Sequence, residues 1–184
     1  MVTGLAAGAR AGQETGWNVE RDVELLLAFL NTVDVEAGTD VLADAVRWRM
    51  WAAERGLTTG ADLVGVRMVR DALRTAVGDP DNRSGGAEGM GSPVRIELRG
   101  GAPVLAATDA VGAVLAAAAR IAVLEQWDRV KICPAEHCRW AFFDRSRNRS
   151  RTWCSMRVCG NREKARNWRE RTRNTVPDRP LVAP

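Results

Sequence analysis

At 184 residues, 46% apolar and 27% charged, the chain has room for one ordinary domain plus a small module, and enough apolar residues to bury a core. No stretch reaches the roughly 18 uninterrupted apolar residues of a membrane-spanning helix, and residues 1–16 lack the basic start and apolar run of a secretory signal, so the expected setting is a reducing cytoplasm. The net charge of +4 is divided unevenly: residues 1–128 carry 12 Arg or Lys against 18 Asp or Glu, and residues 129–184 carry 15 against 5.

Residues 1–18 read as a flexible tail. From Glu20 the apolar residues Val23, Leu26, Leu27, Leu30 and Val33 recur at helical spacing and form one stripe. A turn is expected over Asp34 to Gly38. Thr39 or Asp40 would cap a second helix with Val41, Leu42, Ala45, Trp48 and Ala52 inward, and Gly56 would stop it. Thr59 would open a third helix with Leu63, Val66, Val69, Leu73 and Val77 buried.

The stretch 78–93 is rich in Gly, Asp, Asn, Ser and Pro and reads as a loop. Val94, Ile96 and Leu98 then alternate with Arg95, Glu97 and Arg99, the pattern of a half-buried strand. Gly100-Gly101 suits the turn of a hairpin spanning 94–107. Thr108 or Asp109 would cap a fourth helix with Val111, Val114, Leu115, Ala118, Ile121 and Ala122 on its apolar face, its alanines allowing close packing.

All four cysteines follow in one short window: Cys133, Cys138, Cys154 and Cys159, two equally spaced pairs separated by enough chain for a hairpin. Four thiolates converging on one tetrahedral centre suit Zn²⁺ best. Such a centre has no open coordination position, so the one zinc would be structural. His137 is expected to stay outside the ligand set and exposed. The helix-like run from Asn161 would place Cys159 at a helix N-terminus, where the dipole favours a thiolate. The expected fold is mainly α with a small β-hairpin: a helical part over 19–128, a treble-clef-like four-cysteine finger over 129–175, and a tail over 176–184.

The stretch from Cys133 to Arg171 resembles the CGNR zinc finger, the tetrapeptide standing here as Cys159-Gly160-Asn161-Arg162. The similarity continues through Phe143-Asp144, Ser146, Asn148, Arg151, Trp153-Cys154-Ser155-Met156 and Lys164. Phe29-Leu30-Asn31-Thr32 and the helix-hairpin-helix order are similar to the ABATE domain that accompanies this finger. The resemblance implies a bacterial transcription regulator, with the four cysteines as ligands, the finger on DNA and the larger domain binding a ligand.

The basic residues fall into two groups. Arg145, Arg147, Arg149 and Arg151 alternate and would share one side of an extended segment. Arg162, Arg166, Arg169 and Arg173 form one helical stripe, with Lys164 nearby. Arginine suits bidentate contact with phosphate and guanine, and these nine residues are the nucleic-acid-binding candidates. The competing reading is a solvated face whose arginines pair with the zinc thiolates and the acidic domain. Trp140, Phe142, Trp153 and Trp168 are expected in the finger core. Asn31 and Thr32 are the ligand-pocket candidates of the helical part, the alternative being a local cap at the helix end.

Three function classes follow. One is a DNA-binding regulator whose helical domain senses a small molecule or forms a homodimer. Another is a protein-interaction adaptor with a purely structural finger. An enzyme fits least: the single histidine lies in the metal loop, and no nucleophile elbow or phosphate-binding loop is present. No membrane partner is expected.

Overall fold

The structure, a computed structural model, describes residues 18–60, 62–80 and 91–175. Of the tails expected at 1–18 and 176–184, residues 1–17 and 176–184 lie outside the described residues, as does the centre of the expected loop, 81–90; Asn18 is described and belongs to the start of α1 as its cap. Within them run α1 (Val19–Leu30), β1 (Val33–Asp34), β2 (Thr39–Asp40), α2 (Ala45–Ala53), α3 (Leu63–Ala76), β3 (Val94–Arg99), β4 (Ala102–Ala107), α4 (Ala110–Val123), β5 (Val130–Ile132), β6 (Ala141–Phe143) and α5 (Asn161–Thr175). The strands pair β1–β2, β3–β4 and β5–β6, each antiparallel. The described chain is therefore mainly helical, as expected, with small strand pairs.

Side-chain caps decide where the helices start. Asn18, Asp44, Asp62 and Asp109 accept first-turn N–H groups of α1, α2, α3 and α4. Two expected starts are corrected. Asp40 caps only a single 3₁₀ turn, Val41–Ala43, leaving Asp44 to open α2. Asp62, not Thr59, opens α3, because a carboxylate is the stronger acceptor at the positive end of a helix. Helix α1 stops at Leu30 rather than continuing through Val33. The Thr32 hydroxyl turns back to the Phe29 carbonyl at 2.8 Å, and Val33 pairs with Asp40 instead. Gly56 ends α2 as expected, with φ +66° and the Gly56 and Leu57 N–H groups returned to Ala53 and Ala52.

The core centres on α1 against α4. Leu26, Phe29 and Leu30 meet Val114 and Ile121, all fully buried, and the small Ala117 and Ala118 let the helices approach closely. Ala45 and Ala122, expected inward, are exposed. Trp48 and Trp51 of α2 stack at 5.0 Å and both tilt against Phe29 at 6.0 Å. Arg120 donates two hydrogen bonds, of 2.8 and 2.5 Å, to Asp22 and so ties α4 to α1.

Two buried positions on α3 are arginines. Arg70 bonds Asp40 at 2.6 Å and Asp71 at 3.0 Å. Arg74 bonds Asp79, the Leu30 carbonyl at 2.8 Å and the Arg139 carbonyl at 2.8 Å. Each head is held by carboxylate, and that of Arg74 also by backbone carbonyls, which is how a charge survives burial.

The β3–β4 hairpin forms about Gly100-Gly101, both at positive φ. It does not half-bury Val94, Ile96 and Leu98 as expected: Ile96 is 74% exposed and Leu98 80%. Helix α4 lies against β4, where Ala106 is buried. No element of the described residues covers that face of β3.

The β5–β6 hairpin joins the main core through Val130, Ile132 and Ala141. Asn31, at the end of α1, clasps it: Asn31 Nδ2 donates to the Ala141 carbonyl at 2.9 Å, and the Ala141 N–H donates to Asn31 Oδ1 at 2.7 Å.

Candidate metal centre

Cys133 leaves β5 directly, and Cys138 lies in the turn that leads back to β6. The Cys133 N–H donates to Trp140 O at 2.9 Å, and the Cys138 N–H donates to Ala135 O at 2.9 Å, which closes the turn. Arg139 adopts φ +52° to leave it. Cys154 ends the loop after β6. Cys159 lies in a wide π-type turn, Met156–Gly160, that runs into α5 and is capped by Ser155.

The four sulfurs all lie within 4.8 Å of one another. Cys138 and Cys154 are 3.4 Å apart, and Cys154 and Cys159 3.6 Å. A zinc ion with Zn–S bonds of about 2.3 Å in a tetrahedron sets its sulfurs about 3.8 Å apart, so this cluster fits one Zn²⁺. Phe142 is buried with Cys133, Cys138 and Cys159, and Trp153 packs on them. His137 is exposed and outside the sulfur group. A four-thiolate set leaves no position for substrate or water, so the ion is a structural one.

Without the metal's charge, Cys154 and Cys159 resist ionising. Burial and neighbouring thiols push Cys154 up, and they push Cys159 up to about 11. Cys133 is the exception: burial works to raise it, but hydrogen bonds from the Cys154 and Ala135 N–H groups outweigh that and lower it. Cys159 does sit just before α5, as expected.

The loop between β6 and Cys154 corrects the expected extended segment. Asp144 is fully buried and accepts from Lys131 Nζ at 2.7 Å and from the Ser146 and Arg151 N–H groups, each at 2.8 Å. Lys131 also donates to the Arg149 and Arg151 carbonyls. These bonds wrap residues 144–151 around one carboxylate, with Arg149 at φ +52°. The four alternating arginines therefore do not share a side. Arg145 pairs with Glu20 and Arg149 with Asp128, while Arg151 donates to the Trp153 and Cys154 carbonyls. Arg147 is exposed.

The second basic group is displayed on α5. Residues 161–173 are all exposed except half-buried Glu163. The helix packs mainly on the turn before it. Arg162 pairs with Glu36 and Arg166 with Glu163, Arg169 bonds the Ala165 carbonyl, and Lys164 and Arg173 are exposed. Trp168, expected in the finger core, is 62% exposed, and Trp140 is also exposed, because the helix carries Trp168 away from the sulfurs.

Asn31 and Thr32 line a groove of about 550 Å³ between the end of α1 and β6, together with Trp51, Trp140 and Phe142. Asn31 bonds Ala141 and so joins the helical part to the finger, whereas the Thr32 hydroxyl bonds Phe29 within its own helix end. Sequence reasoning missed the roles of Asp144, Lys131 and Arg74. Arg74 carried a signal, since it falls on the buried face of α3 between Leu73 and Val77. Asp144 was singled out only as part of the family resemblance, and nothing in the sequence stated its role, since its partners come from β5 and from seven residues downstream.

A family model, that of the CGNR zinc finger, matches residues 129–172. The match takes in all four cysteines, the Asp144 loop and most of α5. Among curated proteins no match is found. Geometry and family agree on a four-cysteine zinc finger holding one zinc. No helix among the described residues is long and apolar enough to cross a membrane.

Proposed function

We propose that the chain is a zinc-dependent, DNA-binding transcription regulator whose finger meets the duplex through α5. The observation that carries this reading is α5 itself: a fifteen-residue helix in which 161–173 are exposed except for Glu163, with Arg162, Arg166, Arg169 and Arg173 along one side. A helix that is polar all round contributes nothing to a core, and arginine is the cation best shaped for phosphate and guanine. The zinc supplies folding energy to the segment that holds this helix. Exposed Trp168 adds an aromatic plane on the same helix. The helical part, ABATE-like in its Phe29-Leu30-Asn31-Thr32 run, would sense a ligand or dimerise, in a bacterial cytoplasm and without catalysis.

The adaptor reading draws on a separate observation. Arg145, Arg149 and Arg162 already pair with Glu20, Asp128 and Glu36 of the acidic part, so those cations are engaged within the chain. Selection from a random duplex pool by the zinc-loaded protein separates the two. Retained fragments sharing a motif support the regulator. No retention at low salt moves the chain to the adaptor class.

A further inference from the structure

Strand β3 is the outer strand of a two-stranded hairpin, an arrangement of marginal stability alone. Its apolar residues are turned to solvent. Ile96 and Leu98 share a face with Leu105 and Pro103, their partners across the hairpin. Leu105 and Pro103 also line an apolar groove of about 610 Å³ with Val123 of α4 and Leu124 just after it. The exposed surface is thus continuous from strand edge to helix end, of the kind that marks an interface.

Among the described residues no strand pairs with the outer edge of β3, and that edge can accept another strand. The tight Gly100-Gly101 turn makes Arg99 and Ala102 the first bonded pair, so backbone groups of Val94, Ile96 and Leu98 point away from β4. The sequence of β3 is complementary to itself over nearly its whole length in one antiparallel register; a register centred on Leu98 also joins Glu97 to the partner's Arg99 but overlaps only the end of the strand. With the two-fold axis at Ile96, Ile96 faces its own copy, Val94 faces the partner's Leu98, and Arg95 faces the partner's Glu97, twice over. Moving the axis to Glu97 sets Glu97 against the partner's Glu97 and Arg95 against the partner's Arg99. A one-residue slip would put apolar residues opposite charged ones. Of these registers, the one centred on Ile96 joins opposite charges and like apolar residues.

We propose that β3 is a dimer interface: two copies of the chain pair their β3 strands antiparallel about Ile96 to form one four-stranded sheet. This deepens the dimerising role given to the helical part, yet it is measured without nucleic acid, so it and the DNA reading fail separately. The test is sedimentation equilibrium of the full zinc-loaded chain with three variants, each checked for an unchanged circular dichroism spectrum because Glu97 is half-buried and bonds Arg99 in its own strand. The wild type is expected to be a dimer at micromolar concentration, and Ile96→Lys a monomer. Glu97→Arg sets Arg95 against arginine twice and should weaken dimerisation about tenfold. Arg95→Glu combined with Glu97→Arg restores the opposite-charge pairing and should recover most of that loss. A wild type that stays monomeric to ~100 µM overturns the proposal. So does a dimer indifferent to the charge at position 97, or a double variant no tighter than the single one.

Discussion

Asp144 shows how much of the finger depends on one side chain. Burial works against its charge, but Lys131 and the Ser146 and Arg151 N–H groups outweigh that and hold its carboxyl well below the usual range. A carboxyl lowered on folding contributes fully above its unfolded value of about 4, and that contribution is lost progressively as pH falls from there through the lower folded value. Between pH 5 and 8 the Asp144 contribution is therefore constant, and any acid weakening of the finger in that window comes from protonation of cysteine ligands. Asp144→Ala leaves Lys131 and two N–H groups without their acceptor and should cost about 2–4 kcal/mol. Denaturant melts of the wild type and variant at several pH values check this: the gap should stay level from pH 5 to 8. A gap that closes across that window would show that Asp144 titrates there and is not held ionised. The cysteines were legible in the sequence because thiol spacing states its own chemistry. Asp144 was not, because its partners assemble only when β5 and the loop meet.

The finger is built from a β-hairpin, a wrapped loop and a projecting helix, and these differ in what holds them. β5–β6 shares the main core and is clasped by Asn31. The loop, the π-type turn and α5 have the sulfur cluster as their apolar centre. Chelating the zinc should therefore remove the helical signal of α5, fifteen residues long, and leave α1 to α4 folded. Circular dichroism before and after chelation, followed by a thermal melt, tests this. A partial loss with a surviving cooperative transition is expected, and complete loss would mean that the helical part needs the metal. Periodicity placed α1, α3, α4 and the β3–β4 hairpin, since each has an apolar face with a clear repeat. It misread residues 145–151, where arginine alternation imitates a strand although local bonds to Asp144 fold a loop. It also gave β3 a buried side, because alternation reports a two-faced strand and not what lies against either face.

Across the whole molecule, the acidic part and the basic finger are not merely adjacent. Glu20, Glu36 and Asp128 engage Arg145, Arg162 and Arg149, and Arg74 and Asn31 bond the hairpin backbone. Exposed pairs of this kind contribute little each and weaken with salt. The contrast that matters is between arginines turned toward the acidic part and those displayed along α5. The account holds that zinc fixes a finger whose outward helix carries the polyanion contacts. Fluorescence anisotropy of labelled duplex DNA against salt measures this most directly. Each phosphate contact adds about −0.9 to the slope of log affinity against log salt. The wild type should slope at about −3 or steeper, and Arg166→Glu with Arg169→Glu should flatten it by about two contacts while Arg145→Glu leaves it nearly unchanged. A slope near zero, or an α5 double variant that binds as the wild type does, would contradict the account.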